Sequence, residues 1–441
     1  MQLKTVLAFA TATALLAPAA AAAQPYSAPG NPKGAQKKPG GPFKTLRVGK
    51  GQRYKTIQAA VTRARPGDTV KVANGTYREG VVVRGAGKRY LKLVGNPRQP
   101  EKVVIEARGV KGAGAQNGVL VNGADNVTID GFKAQHQKGN GFFLINLNGY
   151  VATNLIAERS GTYGVYAFNS TGGEMSDSEA FYANDGAFYI GQTPPQDKPR
   201  RSIVSNLDGW GSVVGFSGTN MRYVTITKSR FYNNGVGIAP NSLSSEKYPP
   251  EEDNVMRDND IFWNNFNYYK RTPFAKRRTA TGDFPYPTGV GVFLLGGRRN
   301  LLEGNRIFGN YLAGVAGAEA LTLSDKDVAA KALEDNAVRG NSFGLNGTDR
   351  NGRDIVFEGG GKGNCFAGNI GVESVVPADR STMPECPFTG ENPFAEAVRT
   401  EAIGWVTQPD KEASWIKYPH AARSGVNPPL EHWSPAYDRA R

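Results

Sequence analysis

The chain has 441 residues, 55 of them Gly, and a formal net charge of +14. Beyond the N-terminus no segment carries about 18 uninterrupted apolar residues, which excludes a transmembrane helix. Three dispersed histidines, His136, His420 and His432, argue against a copper or zinc site, and no metal is predicted. The charge favours a polyanionic partner such as acidic polysaccharide or an anionic cell envelope, although a basic surface can also serve solubility alone.

The N-terminal segment predicts export. Residues 1–23 combine Lys4 with an apolar run and an alanine-rich end, the pattern of a secretory signal peptide. Residues 24–42 are rich in Gly, Pro and Lys and predict a disordered linker, because they have almost nothing to bury. We therefore expect a secreted, periplasmic or cell-surface protein whose folded part begins near residue 43.

The stretch YKTIQAAVTRARPGDTV predicts a short helix with Ile57, Ala60 and Val61 on one face, ended by a Pro-Gly pair. A strand over Thr69 to Val72 and a second strand after an Asn-Gly turn follow. A solenoid needs such a cap, because its open end exposes apolar interior and unpaired strand edges.

One pattern recurs between residues 126 and 370, where a β-branched run and an Asn-rich corner precede a Gly that opens a short apolar run. These runs are NGFFLI, YGVYAF, DGAFYI, NGVGIA, TGVGVF and AGVAGA. Gly141, Gly164, Gly186 and Gly235 lie 23, 22 and 49 residues apart, and the last gap holds a weaker coil. A period near 23 residues predicts a solenoid of short parallel strands that bury one continuous interior.

Asparagines recur five residues apart at the corners of this repeat. The pairs are Asn259 with Asn264, Asn305 with Asn310, Asn341 with Asn346, and Asn364 with Asn369. Because Asn tolerates left-handed backbone and bonds neighbouring backbone groups, stacked corners predict ladders of side-chain amides. We expect these asparagines to be structural.

The patterns together predict an all-β, single-domain right-handed parallel β-helix. Its parts are an N-terminal helix cap (43–125), coils (126–370) within a solenoid of residues 43–386, and an irregular C-terminal tail (387–441) packed on the solenoid. Cys365 and Cys386 are the two cysteines of an exported chain, and we expect them to form a disulfide at the C-terminal end.

The stretch TIQAAVTRARPGDTVKVANGTYREGVVV resembles the opening of pectate-lyase-like β-helix proteins. This group includes pectate lyases, pectin methylesterases, alginate C5-epimerases and NosD-like periplasmic proteins. The resemblance extends from Leu46 to about Ile370 and implies the fold, because the shared opening is a capping device.

The activity motifs of these relatives are not matched. Where the alginate epimerases carry Asp-Pro-His, this chain has Tyr166, Ala167 and Phe168. The paired aspartates of the methylesterases are absent, and the acidic calcium cluster of the lyases is not recognisable. Calcium is compatible with such a fold but no motif indicates it, so no cofactor is predicted.

Alternate residues of a strand face inward and outward, and the outer face of the Gly-led strands is apolar whichever set faces outward. One phase places Tyr166, Phe168 and Phe188 outward, and a face of that size is either covered or binds something. We expect the tail from residue 394 to 433 to cover it. Otherwise Tyr166 and Phe188 are candidate substrate contacts.

Polar candidates flank that face in the segment NDGAFYIGQTPPQDKPRR and one coil beyond it. The candidate catalytic residues are Asp185, Gln192, Asp197 and Asp208, and the candidate cations for an acidic substrate are Arg200 and Arg201. The same residues also fit a capped turn followed by a solvated loop.

A long insertion, NYYKRTPFAKRRTATGDFPYP, interleaves Lys270, Arg271, Arg277 and Arg278 with aromatic rings. This pattern suits acidic sugars, whose carboxylates pair with Arg and whose faces stack on rings, but it also fits a solvated basic loop.

Two functional classes therefore stay open. The first is a secreted lyase, hydrolase or epimerase acting on acidic polysaccharide, and the second is a noncatalytic envelope or polysaccharide-binding β-helix. Either protein is expected to be a monomer without a specific nucleic-acid partner.

Overall fold

The structure is a computed structural model that describes residues 35–266, 268, 285–320, 323–344 and 349–407. The predicted signal peptide, most of the predicted linker and the tail beyond residue 407 lie outside these ranges. Within them, the ladders between strands are all parallel. Residues 35–42 contain no helix or strand, and the Gln36 backbone N–H donates to Asp125 Oδ2 at 2.9 Å.

In the described residues 18 strands form one large sheet, here called the major sheet. Its strands, numbered along the chain, are β1 Thr45–Val48, β2 Thr69–Val72, β3 Gly75–Tyr77, β5 Lys92–Val94, β6 Val103–Glu106, β8 Val127–Gln135, β10 Asn148–Glu158, β12 Thr171–Phe181, β14 Ser202–Trp210, β16 Val224–Thr227, β17 Arg230–Tyr232, β19 Val255–Arg257, β20 Asp260–Phe262, β23 Leu301–Glu303, β24 Arg306–Phe308, β27 Ala337–Arg339, β28 Ser342–Phe343 and β30 Cys365–Ala367.

Eleven further strands of the described chain stack in sequence order as the minor sheet. They are β4 Val81–Arg84, β7 Asn117–Asn122, β9 Asn140–Ile145, β11 Val165–Phe168, β13 Gly186–Gly191, β15 Val214–Thr219, β18 Val236–Asn241, β21 Val290–Leu295, β25 Ala313–Ala318, β29 Ile355–Phe357 and β31 Val375–Val376. A small third sheet pairs β22 Gly297–Arg298 with β26 Leu333–Glu334.

The core is one continuous column between the two sheets, because alternate residues of each strand point inward. Equivalent inward positions contact each other from coil to coil. Along the minor sheet the inward column is Val119, Phe142, Val165, Phe188, Phe216, Ile238, Val292, Val315 and Ile355. The predicted single interior of a β-helix is confirmed.

A column of glycines follows the minor sheet at positions where neighbouring coils approach closely. A Cβ on Gly141 would lie 2.6 Å from the Gly164 carbonyl oxygen, and a Cβ on Gly237 would lie 2.5 Å from that of Gly291. Such contacts are too short for any side chain, so glycine is required.

The predicted register is wrong for one coil. Val165 pairs with Phe188, so Gly186 lies one residue outside the glycine column. Phe188, predicted as a substrate contact, is fully buried and faces the core, and Tyr189 takes the outward position opposite Tyr166.

Asparagine ladders hold the corners of the C-terminal coils together. In each ladder the side-chain oxygen of one Asn accepts from the backbone N–H and the amide of the Asn in the coil before, at 2.9–3.2 Å. The ladders are Asn259–Asn305–Asn341–Asn369, Asn254–Asn300–Asn336–Asn364–Asn392 and Asn234–Asn264–Asn310–Asn351. The structural role predicted for these residues is confirmed, and Asn346 lies outside the described residues.

A helix lies at the N-terminal end, as predicted from the sequence. Helix α1, Ile57–Arg63, buries Ile57, Ala60 and Val61 against the first strands. Its first turn is satisfied by Thr56, whose hydroxyl accepts from the Ala59 N–H. Short 3-10 helices span Ala86–Lys88, Pro100–Lys102, Gly112–Ala115 and Asp325–Ala330.

The C-terminal end is held by a disulfide and a helix. Cys365 and Cys386 are bonded, with their Cα atoms 4.8 Å apart, so the predicted disulfide is confirmed. Helix α2, Glu396–Thr407, lies over the outer face of the C-terminal coils of the minor sheet. None of the described helices is long and apolar enough to cross a membrane.

The described part of the expected cover, residues 394–407, does not lie on the Tyr166 and Phe168 ladder. Helix α2 instead buries Val398, Ala402 and Trp405 in a cluster with residues of β18, β21 and β25, several coils away. Residues 408–433 of the predicted cover lie outside the described residues.

Replacing Asn305 with Ala should destabilise the protein by about 2–4 kcal/mol, because it leaves buried donors and acceptors of two neighbouring coils unpaired. In the native protein the Asn305 amide donates to the Met256 carbonyl oxygen and to Asn341 Oδ1. Urea unfolding followed by circular dichroism measures the change. The control is Asn74→Ala at an exposed corner, expected to shift stability by less than about 0.5 kcal/mol. Equal effects of the two substitutions would contradict the role of the ladder.

Candidate active site

The outer face of the minor sheet carries a cluster of aromatic rings in its N-terminal half. This aromatic face consists of Phe143, Tyr163, Tyr166, Phe168 and Tyr189. The ring of Tyr166 stacks on that of Phe143, with centroids 4.4 Å apart and planes within 1°. Its other neighbours are Tyr163 at 4.5 Å and Tyr189 at 4.9 Å, the latter edge-on. The rings therefore support one another in fixed orientations.

The strand register explains why these rings meet. Phe143, Tyr166 and Tyr189 occupy the same outward position on β9, β11 and β13. Parallel strands lie about 4.8 Å apart, close to the distance at which aromatic rings stack. Tyr163 and Tyr166 are half-buried, whereas Phe143 and Tyr189 are buried.

An insertion between β18 and β19 folds back beside this face. We call residues 242–254 the acid loop. Asn220 anchors it, because its amide donates to the carbonyl oxygens of Leu243 at 2.8 Å, and of Glu246 and Lys247 at 3.1 Å each. The Asn220 side-chain oxygen accepts from the Leu243 N–H at 3.1 Å.

Two more side chains fix the acid loop. Arg222 is buried, pairs with Glu252 at 2.6 Å, and donates to the carbonyl oxygens of Pro250 and of Thr193 in the preceding insertion. Gln192, a predicted catalytic candidate, accepts from the Lys247 N–H at 3.0 Å. Gln192 therefore lies at the predicted place, but its amide oxygen positions backbone.

The loop brings Glu246 to the aromatic face. The Tyr189 hydroxyl donates to Glu246 Oε1 at 2.5 Å. Glu246 Oε2 is buried and has no hydrogen-bond partner among the described residues. Burial raises the pKa of Glu246 to about 8; the Tyr189 hydrogen bond opposes that shift and the nearby Asp185 carboxylate adds to it. Glu246 is therefore mostly protonated at neutral pH and can donate a proton.

The tyrosines are donors in this site and not bases. Burial raises the pKa of Tyr163 and of Tyr189 well above the usual range, and the charges of Asp185 on Tyr163 and of Glu246 on Tyr189 act in the same direction. Their hydroxyls therefore stay protonated. The Asp185 N–H donates to the carbonyl oxygen of Thr162 at 2.9 Å, next to Tyr163, and the Asp185 charge raises the pKa of both Tyr163 and Glu246.

The structure separates the other predicted carboxylates from this site. Asp197 is exposed on the insertion between β13 and β14. Asp208 lies on the outer face of the major sheet, where its carboxylate pairs with Arg230 at 2.8 Å. Of the four predicted catalytic candidates, Asp185 and Gln192 lie beside the aromatic face.

The predicted cations Arg200 and Arg201 contact backbone. The Arg200 guanidinium lies against Gly149 and Gly172, and Arg201 Nη1 donates to the carbonyl oxygen of Asp253 at 3.0 Å. Lys270, Arg271, Arg277 and Arg278 lie outside the described residues. Tyr268 and Tyr286, which flank that insertion, pack in the cluster on the outer face of the minor sheet.

Glu246 was not predicted from the sequence. It lies in the Ser-rich stretch NSLSSEKYPP, which has no repeat period and matches no motif. The one available signal was its place after a Gly-led strand, where an insertion returns to the sheet. In the part of the chain that the structure describes, no three His, Cys, Asp or Glu side chains are grouped to hold a metal.

Comparisons with known proteins agree with this architecture. Residues 101–248, which include the aromatic face and Glu246, match the family model for a right-handed β-helix region. The chain is a right-handed parallel β-helix. No curated protein sequence gives a significant match.

Several solved structures superpose on this β-helix. The A-module of the Azotobacter vinelandii mannuronan C-5 epimerase AlgE4 is 16% identical, with 72% of this chain and 90% of that chain covered and a TM-score of 0.49. The catalytic domain of a GH87 α-1,3-glucanase is 12% identical, covering 82% and 69%, with a TM-score of 0.44. Pectate lyase Pel9A is 14% identical, covering 76% and 79%, with a TM-score of 0.39. At these values no activity is carried over from those enzymes.

The raised pKa of Glu246 predicts a pH dependence of stability. Between about pH 5 and pH 8 the unfolded chain ionises Glu246 while the folded protein keeps it protonated, so its contribution to stability falls as pH rises. Glu246→Gln should therefore flatten the fall of melting temperature over that range. Glu251, at the other end of the acid loop, is buried against Asn254 and Asn300, has a pKa also raised to about 8, and serves as the comparison. Glu251→Gln should flatten the same curve without affecting the aromatic face. An unchanged slope in Glu246→Gln would refute the burial argument.

Proposed function

We propose that this protein is an exported enzyme that binds acidic polysaccharide on the aromatic face and cleaves glycosidic bonds with Glu246 as general acid. The observation that carries the proposal is the buried, unpartnered Oε2 of Glu246 beside a platform of aromatic rings. Sugar rings stack on aromatic faces, and a protonated carboxyl is the kind of group that donates a proton to the oxygen between two sugars.

The chemistry needs an acid and a base with separated roles. Glu246, with a pKa near 8, would protonate the leaving oxygen. Asp185 is the second carboxylate at the site and would activate water or attack the sugar carbon. The protonated hydroxyls of Tyr163 and Tyr189 would donate hydrogen bonds to sugar oxygens. This division of roles favours hydrolysis over proton abstraction by a tyrosinate.

The acidic character of the substrate is supported by charge. The chain carries +14, and a polyanion gains from such an excess. The basic aromatic insertion begins and ends near Tyr268 and Tyr286, which pack on the outer face of the minor sheet. The four cations predicted in this insertion lie outside the described residues, and their binding to polymer carboxylates stays a prediction from the sequence. The N-terminal signal-peptide pattern supports export to where such polymers occur.

The first test is cleavage of polygalacturonate, alginate and a neutral glucan, measured as new reducing ends. Glu246→Gln should reduce cleavage by at least about 100-fold, because general acid catalysis supplies about that factor, while polymer binding is retained. Asp197→Asn, on an exposed loop, is the control and should leave the rate unchanged.

Two outcomes would contradict the enzymatic proposal. The first is a Glu246→Gln variant with the rate of the native protein. The second is a native protein that binds these polymers and cleaves none of them, which would favour the noncatalytic polysaccharide-binding function.

The second test concerns the aromatic platform. Tyr166→Ala should weaken polymer binding by about tenfold, because it removes the ring on which the others stack. Tyr166→Phe keeps the ring and should bind like the native protein. Affinity electrophoresis in gels containing the polymer measures both. Equal binding by the Ala and Phe variants would show that the sugar does not lie on this ring.

A further inference from the structure

The positive charge of the protein is concentrated in one part of the chain. Residues 35–111, here called the basic block, contain 19 Lys and Arg but four Asp and Glu, a net charge of +15. The whole chain carries +14, so the remaining residues contribute no net positive charge. The block spans β1–β6 and α1 at the N-terminal end of the solenoid.

The acidic residues of the block are mostly occupied by internal contacts. The Asp68 carboxylate accepts from the backbone N–H groups of Lys44 and Arg65, at 2.8 and 2.9 Å. The Glu79 carboxylate accepts from the first N–H groups of α1, at 2.8 and 2.9 Å. Glu106 is buried and contacts Gln135 and His136. These three carboxylates are held by internal contacts, and in the part of the chain that the structure describes Glu106 is the only one of them that also pairs with a surface cation of the block, Arg108.

The surface cations of the block are almost all without an acidic partner. Among the described residues, Arg108 is the one cation of the block with a carboxylate within 4.0 Å. The C-terminal coils differ, since their outward arginines are paired. Examples are Arg230 with Asp208, Arg299 with Asp253, Arg306 with Asp260 and Arg339 with Glu303.

Several cations of the block lie side by side on outward strand positions. Arg47 on β1 is directly opposite Lys71 on β2, and Lys92 on the next strand, β5, is opposite Thr69, two residues before Lys71. With strands about 4.8 Å apart, these like charges repel unless anions or solvent screen them. An anionic polymer that spans the strands would relieve this repulsion.

One row of outward positions on the minor sheet runs from the basic block to the aromatic face. On the minor sheet Arg84 occupies the same outward row as Asn122, Ile145 and Phe168. A polymer that lies along this row and leaves the aromatic face toward the N-terminal end would therefore meet Arg84 and then the rest of the block.

We propose that the basic block is a second binding surface, which holds the acidic polysaccharide outside the aromatic face. That the polymer is an acidic polysaccharide rests on the proposed function. The concentration of positive charge in the block is independent of that proposal. A membrane fits less well, because Phe43 and Val82 are the only large apolar side chains of the block's described residues that are strongly exposed.

The test compares two fourfold variants of the full chain. The block variant replaces the exposed cations Lys44, Arg47, Arg84 and Lys92 with Gln, and the control variant replaces the exposed Lys198, Lys228, Lys326 and Lys362 with Gln. Both lose the same charge. Binding to polygalacturonate in low salt is measured by isothermal titration calorimetry.

The block variant should bind polygalacturonate at least about tenfold more weakly than the control, with a shallower dependence on salt, because fewer counterions are released. Equal affinities of the two variants would overturn the inference. The outcome is separable from the proposed function: Glu246→Gln should lose cleavage but keep this binding, whereas the block variant should still cleave short oligosaccharides. Loss of oligosaccharide cleavage in the block variant would also refute a separate holding surface.

Discussion

Each coil of this β-helix hydrogen-bonds to the next through parallel strands, so every position is followed by its equivalent about 4.8 Å away. This spacing limits what each position can hold. Inward positions must interdigitate, as Phe142, Val165 and Phe188 do, and positions such as Gly141 and Gly237 have no room for a Cβ. Polar groups at the corners must hydrogen-bond the equivalent groups of the adjacent coils, and the asparagine ladders make these bonds. Stability therefore accumulates coil by coil through the same contacts.

The titratable group at the candidate site lies on an insertion and not on the repeating strands. The acid loop returns to the minor sheet because Asn220, Gln192 and Arg222 bind its backbone, and it carries Glu246 to Tyr189. The regular strands supply the rigid platform, and the insertion supplies the titratable group. Helix α2 occupies the C-terminal half of the same face, so the aromatic half is the part with rings and carboxylates together.

The fold could be predicted from the sequence because its determinants repeat. The period near 23 residues, the corner asparagines and the paired cysteines each follow from a local rule. Phe188 was misplaced because Gly186 marks a register one residue away from Gly164, and no local rule reveals such a shift. Glu246 was missed because its position depends on contacts made by Asn220, 26 residues earlier in the chain. Asp185 was a candidate because it precedes a Gly-led strand, but no local pattern showed that Tyr163 and Glu246 would be its neighbours.

The uneven charge along the chain has a consequence for how the molecule meets a polymer. With +15 in residues 35–111 and +14 in the whole chain, the solenoid carries a large electric dipole directed along its axis. A dipole in the field of a polyanion experiences a torque as well as an attraction, and this orients the molecule before contact. The N-terminal end would therefore arrive first, and the row from Arg84 to Phe168 would align the polymer with the axis of the coils.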